Sequence, residues 1–274
     1  MEINFPLAIT LTVLAGLFTG IGSSIAFFIR KPRYSYLSFL LGLSAGVMVY
    51  ISFVELLGTA IEDVGFLTAN IAFFAGILVF AVIDILIPHE YEEESVTDAR
   101  FGPSKDQPLD DSGLSLGPSA KSAAALKRSG IFIAIGIAIH NFPEGMVTFA
   151  SVAGGDANLG VTIAAAVAIH NIPEGIAISV PIYYATGNRR RAFTFSFLSG
   201  LAEPVGALIG YLLLLPFLTP TVLSSTLAVV AGIMVYISFD EILPLAHKYG
   251  RGHLIITGVI FGMSIMAFSL FLLA

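Results

Sequence analysis

Eight apolar runs, at 5–29, 35–57, 67–88, 130–153, 160–184, 191–215, 222–244 and 253–273, limit what this chain can become. Each is long enough to cross the roughly 30 Å of hydrocarbon in a bilayer as a helix of about 20 residues. A backbone in oil must satisfy its own N–H and C=O groups, so runs of that length fold as helices. With 56% hydrophobic and 12% charged residues, the chain has more apolar surface than one water-soluble core of this length could bury. The expected fold class is all-α and integral to the membrane, one domain over residues 1–274 with eight transmembrane helices. The first run has no basic segment before it and no small-residue cleavage site, so it is expected to be retained. The absence of cysteine removes disulfides and thiolate ligands together.

The basic residues set the expected threading. Lys and Arg fall in four groups: Arg30, Lys31 and Arg33; Arg100 to Arg128; Arg189, Arg190 and Arg191; and Lys248 with Arg251. These loops follow helices one, three, five and seven, and positive charge accumulates on the cytoplasmic side. Both termini are therefore expected outside the cytoplasm, with the protein in the inner membrane. Residues 89–129 form the one long connection. Their low hydrophobicity, prolines and acidic run from Glu90 to Asp98 predict a disordered cytoplasmic loop. Nothing in the pattern points to nucleic acid.

The chain repeats itself twice. AGVMVYISFVELL at 45–57 and AGIMVYISFDEIL at 231–243 differ only at Val47/Ile233, Val54/Asp240 and Leu56/Ile242. AIHNFPEG at 138–145 and AIHNIPEG at 168–175 differ only at Phe142/Ile172. In the expected threading each pair lies on helices running in opposite directions, so the repeats are inverted, with helices 1–3 related to 6–8. Inverted repeats place a substrate site near the bilayer midplane and supply an inward-open and an outward-open form.

The motif H-N-x-P-E-G carries the chemistry. Its His and Glu are four residues apart and share a helix face, while Asn is rotated by about 100° toward a neighbouring position. Two adjacent ion positions are geometrically reasonable. Pro143 and Pro173 have no N–H, so the carbonyls of Ile139 and Ile169 lose their helical donors. Glu144, Glu174 and Glu203 lie deep in spans, where insertion scales charge roughly 2.5–3.5 kcal/mol for an ionised group. No Lys or Arg occurs between Arg33 and Arg100, between Arg128 and Arg189, or between Arg191 and Lys248. The counter-charge must come from outside the chain, as protons or as metal cations. His140, Asn141, Glu144, His170, Asn171, Glu174 and Glu203 offer N and O donors suited to divalent transition metals more than to Mg or Ca. Met48, mid-span on helix two, is a further candidate ligand. Glu55 at one mouth, and Asp84, His89, Asp240 and Glu241 at the other, are candidate stages of a cation path. An interfacial role reaching headgroup water is the plainer alternative for them.

Together, HNFPEG and HNIPEG, the segment SGLAEP at 199–204 and the long loop after helix three resemble the ZIP (Zrt/Irt-like) family of metal transporters over essentially the whole chain. The resemblance implies uptake of zinc and other divalent metals such as iron, manganese, cobalt and cadmium, as cargo rather than as a catalytic cofactor. It implies a binuclear centre, with His140, Glu144, His170 and Glu174 around one ion, Asn141, Asn171, Glu174 and Glu203 around the second, and Glu174 bridging. It also implies a 3+2+3 helix arrangement in which helices one, four, five and six carry the site past a scaffold of two, three, seven and eight. The sequence leaves a homodimer open.

Two other classes of function fit the pattern less well. An intramembrane metal hydrolase needs H-E-x-x-H or a comparable nucleophile set, and none is present. A sensory or structural protein gives no reason for three carboxylates at midplane. No G-x-x-x-x-G-K-[ST] loop occurs, so a secondary transporter driven by an ion gradient is expected rather than an enzyme.

Overall fold

A computed structural model of the chain describes residues 5–29, 33–86, 120–153, 157–214, 217, 219–249 and 252–273. Among them, eight helices are long and apolar enough to cross a membrane. We number these α1 (Phe5–Phe28), α2 (Tyr34–Val64), α3 (Phe66–Ile85), α4 (Leu126–Ala153), α5 (Val161–Thr186), α6 (Arg189–Leu212), α7 (Pro220–Lys248) and α8 (Gly252–Leu273). The protein is a multi-pass, all-helical membrane protein.

The helix containing α4 begins at Ala120, so residues 120–129, assigned to the loop by apolarity, are helical. The segment AKSAAALKR is rich in the strongest helix formers, a preference that hydropathy does not register. His89 and the acidic run from Glu90 to Asp98 lie outside the described residues.

Since lipid tails are as apolar as Leu, helices in a bilayer associate by close packing rather than by escape from water. The buried face of α1 is accordingly small rather than greasy: Ala8, Thr12, Ala15, Gly16, Thr19, Gly20, Gly22 and Ser23. Such stripes let backbones touch. A Cβ on Gly46 would stand 2.2 Å from the Val259 carbonyl of α8, and one on Gly22 would stand 1.9 Å from the Ile172 carbonyl of α5.

The most extensive contacts sort the helices into two groups. α1, α4, α5 and α6 pack on one another, chiefly as α1 on α5, α5 on α4 and α4 on α6. α2 packs on α8, and α3 on α7. The groups meet mainly where α2 touches α5 and α7 touches α4. α5 is the most enclosed, with 67% of its apolar segment buried against 22% for α3 and α8.

Widened turns interrupt α2 and α7. Ser52–Leu56 and Ile237–Ile242 are π-helical turns inside the repeated sequence, and they carry Glu55 and the Asp240–Glu241 pair. An extra residue per turn rotates the face that follows, and such turns recur at functional positions. Hydropathy gave no sign of them.

Gly46→Ala should lower the thermal unfolding midpoint of the detergent-purified protein by an amount corresponding to about 1–3 kcal/mol, because α2 and α8 must separate. Gly58→Ala, whose Cβ would meet nothing closer than the Phe53 carbonyl at 3.8 Å, should be neutral or slightly stabilising. Equal midpoints for the two variants would refute the backbone contact.

Candidate metal site

His140, Asn141, Glu144, His170, Asn171, Glu174 and Glu203 are all buried, and all but Glu144, at 3%, are fully inaccessible. His140 falls near the centre of α4. The i, i+4 spacing places each motif's His and Glu on one helix face, and α4 against α5 brings the two faces together. Pairing is crossed between motifs. His140 Nε2 lies 2.8 Å from Glu174 Oε1, and His170 Nε2 lies 2.6 Å from Glu144 Oε1. Ligand atoms of His140, Glu144 and Glu174 all lie within 4.8 Å of one another, and His170 reaches this triad through Glu144.

The two crossed contacts differ chemically. His140 and Glu174 are aligned as a hydrogen bond. The 2.6 Å contact of His170 with Glu144 is not so aligned: neither Glu144 oxygen nor His170 Nε2 has a hydrogen-bond partner among the described residues. His170 Nδ1 donates to the Ala166 carbonyl at 3.1 Å, so in the neutral ring Nε2 carries the lone pair. An imidazole lone pair against a carboxylate oxygen is repulsive until a proton or a metal ion stands between them. The Nδ1 of His140 is also buried without a partner among the described residues.

The asparagines extend the cluster in different ways. Asn171 Nδ2 donates to Glu203 Oε1 at 2.5 Å and to the Ala15 carbonyl at 2.9 Å, fastening α5 to α6 and α1. Asn171 Oδ1 and Glu203 Oε2 are left without hydrogen-bond partners among the described residues. With its amide nitrogen turned to the cluster, Asn141 donates to the Ile137 carbonyl at 3.0 Å and to Glu174 Oε2 at 3.2 Å. Glu203 stands just after the helix break at Leu201, in the segment AEP. Pro204 has no N–H for the Gly200 carbonyl, which accounts for the irregularity beside this carboxylate.

The glycine closing each motif has a packing reason that sequence reading missed. A Cβ on Gly145 would lie 2.1 Å from the Glu203 carbonyl, and one on Gly175 would lie 2.1 Å from the Thr19 carbonyl. Each Glu of the motif is thus carried where a neighbouring backbone is in contact. Ser196 adds to this fastening, donating to the Gly175 carbonyl at 3.0 Å with its oxygen 2.6 Å from Ser23 Oγ.

Met48 is fully buried on α2. One turn earlier, Ser44 Oγ donates to the Pro173 carbonyl of α5 at 2.7 Å, directly before Glu174. Ser44 was not singled out from sequence, since its repeat partner is Val230 and it belongs to neither duplicated motif. Three of the other path candidates meet away from this cluster: Asp84, Asp240 and Glu241 have ligand atoms within 4.8 Å of one another, and Tyr236 donates to Asp84 at 3.1 Å. Glu55 is partly buried on the π-helical turn of α2.

Comparison with known proteins gives a consistent result. Residues 88–270 match the family model described as ZIP Zinc transporter. The chain is 51% identical to the zinc transporter ZupT of Nitratidesulfovibrio vulgaris over 280 residues, covering 98% of each chain. It is 54% identical to the zinc transporter ZupT of Akkermansia muciniphila over 266 residues, 94% of each, and 48% identical to that of Streptococcus mutans over 276 residues, 97% of each.

The crossed pairing makes a prediction for divalent-metal binding, read as the metal-induced rise in unfolding temperature of the purified protein. In a double-mutant cycle, His140→Ala and Glu174→Ala should couple by about 0.5–3 kcal/mol. Additive losses for this pair would contradict the shared position.

Proposed function

This chain belongs to the ZIP zinc transporter family, and from that membership we propose that it moves zinc and related divalent transition-metal ions into the cytoplasm through the buried His, Asn and Glu cluster. It is a transporter and not an enzyme. The observation that carries the site assignment is the meeting of His170 Nε2 with Glu144 Oε1 at 2.6 Å, without hydrogen-bond alignment, in spans that hold no internal Lys or Arg. A divalent ion turns that repulsion into two bonds.

His140, Glu144, His170 and Glu174 hold one ion in this reading. Asn141, Asn171, Glu174 and Glu203 surround a second, with Glu174 bridging. The partnerless Oδ1 of Asn171 and Oε2 of Glu203 favour the second position, since both are acceptors left buried without a donor. Neutral imidazoles and carboxylates suit zinc, iron, manganese, cobalt and cadmium. Met48 joins as a soft ligand from α2. Glu55 serves the outer mouth, and Asp84, Asp240 and Glu241 receive the ion on the cytoplasmic side, with His89 beyond them. The chain lies in the inner membrane with both termini outside.

Alternating access in this proposal is an elevator movement of α1, α4, α5 and α6 past α2, α3, α7 and α8, within a 3+2+3 inverted-repeat plan. Support comes from the packing pattern. Exchanging α1, α2, α3 and α4 for α6, α7, α8 and α5 maps α1 on α5 to α6 on α4, α2 on α8 to α7 on α3, and α2 on α5 to α7 on α4. His140, Asn141, Glu144, His170, Asn171, Glu174 and Glu203 all sit within the first group, so they would travel together, while Met48 belongs to the second. Ser44 joins the groups by a single hydroxyl, a bond that can break and re-form.

In proteoliposomes, wild-type protein should take up zinc, and Glu174→Ala should reduce the flux to that of empty vesicles while leaving the protein folded and inserted. Unchanged uptake of every divalent metal tried would remove the site assignment. The chain has no cysteine, so single cysteines report topology without background. One placed at Asn188 should react with impermeant maleimide only from the cytoplasmic side, and one at Glu62 only from outside. The opposite pattern would reverse the orientation.

A further inference from the structure

At the joint between α1 and α2 the surface opens into a groove of about 560 Å3. Phe28 and Ile29 line it from the end of α1, and Arg33, Tyr36, Phe39 and Leu40 from the start of α2. These are helix ends, so the groove lies at the depth where hydrocarbon meets headgroups. Phe28 is 76% exposed and Tyr36 50% exposed. Around a spanning helix such exposure is to lipid, and a groove open to the bilayer is filled by a lipid chain.

Charge decides which lipid. Arg33 is exposed, and its guanidinium forms no ion pair with a carboxylate among the described residues. Its backbone is fixed on both sides by one phenol: Arg33 N donates to Tyr184 Oη at 3.0 Å, and Tyr184 Oη donates to the Arg33 carbonyl at 2.8 Å. Arg189 braces the same turn, donating Nη2 to the Ile29 carbonyl at 2.8 Å with its guanidinium 5.5 Å from the Tyr183 ring centroid. No Asp or Glu occurs between Glu2 and Glu55 or between Glu174 and Glu203. The segments that build this corner are therefore basic and carry no acid of their own.

We propose that this groove is a binding site for one anionic phospholipid. Its phosphate lies against the Arg33 guanidinium and the Tyr36 hydroxyl, and one acyl chain runs along Phe28, Phe39 and Leu40. Zwitterionic lipid fits the apolar part equally and gains less from Arg33, because its own ammonium competes for the phosphate. The site is independent of the cargo reading, since it needs no metal and shares no residue with the buried cluster.

The test is native mass spectrometry of the full chain, released from detergent after incubation with phosphatidylglycerol or with phosphatidylcholine of the same acyl chains. Wild type should retain one phosphatidylglycerol with roughly fivefold preference, the factor expected for one basic side chain at a lipid surface. The double variant Arg33→Gln, Tyr36→Phe should lose that preference while unfolding at the wild-type temperature, and Lys127→Gln should keep it. Equal retention of the two lipids by wild type, or an unchanged preference in the double variant, would overturn the proposal. So would displacement of phosphatidylglycerol by millimolar inorganic phosphate, which would make the site one for the free anion.

Discussion

A carboxylate held in oil must be answered by something, and the answer organises this molecule. Glu144, Glu174 and Glu203 are enclosed, and the Lys and Arg of the spans that carry them, Lys127, Arg128 and Arg189 to Arg191, stand only at the helix ends. Two histidines face two of these acids crosswise, and Asn171 faces the third. Imidazole is a weaker answer than guanidinium because it is charged only after taking a proton. The cluster is therefore left with uncompensated negative charge wherever its histidines are neutral and its acids ionised, and in the proposed function a divalent cargo supplies the missing positive charge. A Lys or Arg in the same place would close the site permanently by forming a buried ion pair that an arriving metal could not displace cheaply.

The precision of that cluster comes from backbone contact. In a bilayer, packing replaces the hydrophobic effect as the cohesive force between helices, so small residues act as the structural ones. Gly145 and Gly175 let α6 and α1 touch the very turns that carry Glu144 and Glu174. Gly42, Gly46, Gly258 and Gly262 do the same between α2 and α8. Contact within each group is thus backbone on backbone. Between the groups, a side-chain bond such as that of Ser44 to the Pro173 carbonyl takes part. The proposed movement of one group past the other asks for this difference between backbone packing within groups and side-chain contact between them.

The joint between α1 and α2 links the same two groups through the chain itself. Tyr183, Tyr184 and Arg189 hold its backbone from α5 and α6. A membrane lipid seated beside that joint would touch one helix from each group. The bilayer's composition then becomes a physical input to the seam.

The sequence alone determined the number of spans, because hydrocarbon thickness fixes the length of an apolar run. It also determined the identity of the buried donors, since two near-identical H-N-x-P-E-G segments cannot be read as shared composition. The ten helical residues before 130 escaped it because helix propensity and hydropathy are separate signals, and the π-helical turns because neither signal marks them. Only the tertiary structure decided that His140 meets Glu174 rather than Glu144, and that Asn171 ties Glu203 to the Ala15 carbonyl. Periodicity places a side chain on a face of its own helix. Which partner it meets depends on how neighbouring helices are rotated and how closely their backbones approach, and those distances exist only once glycine packing has set them.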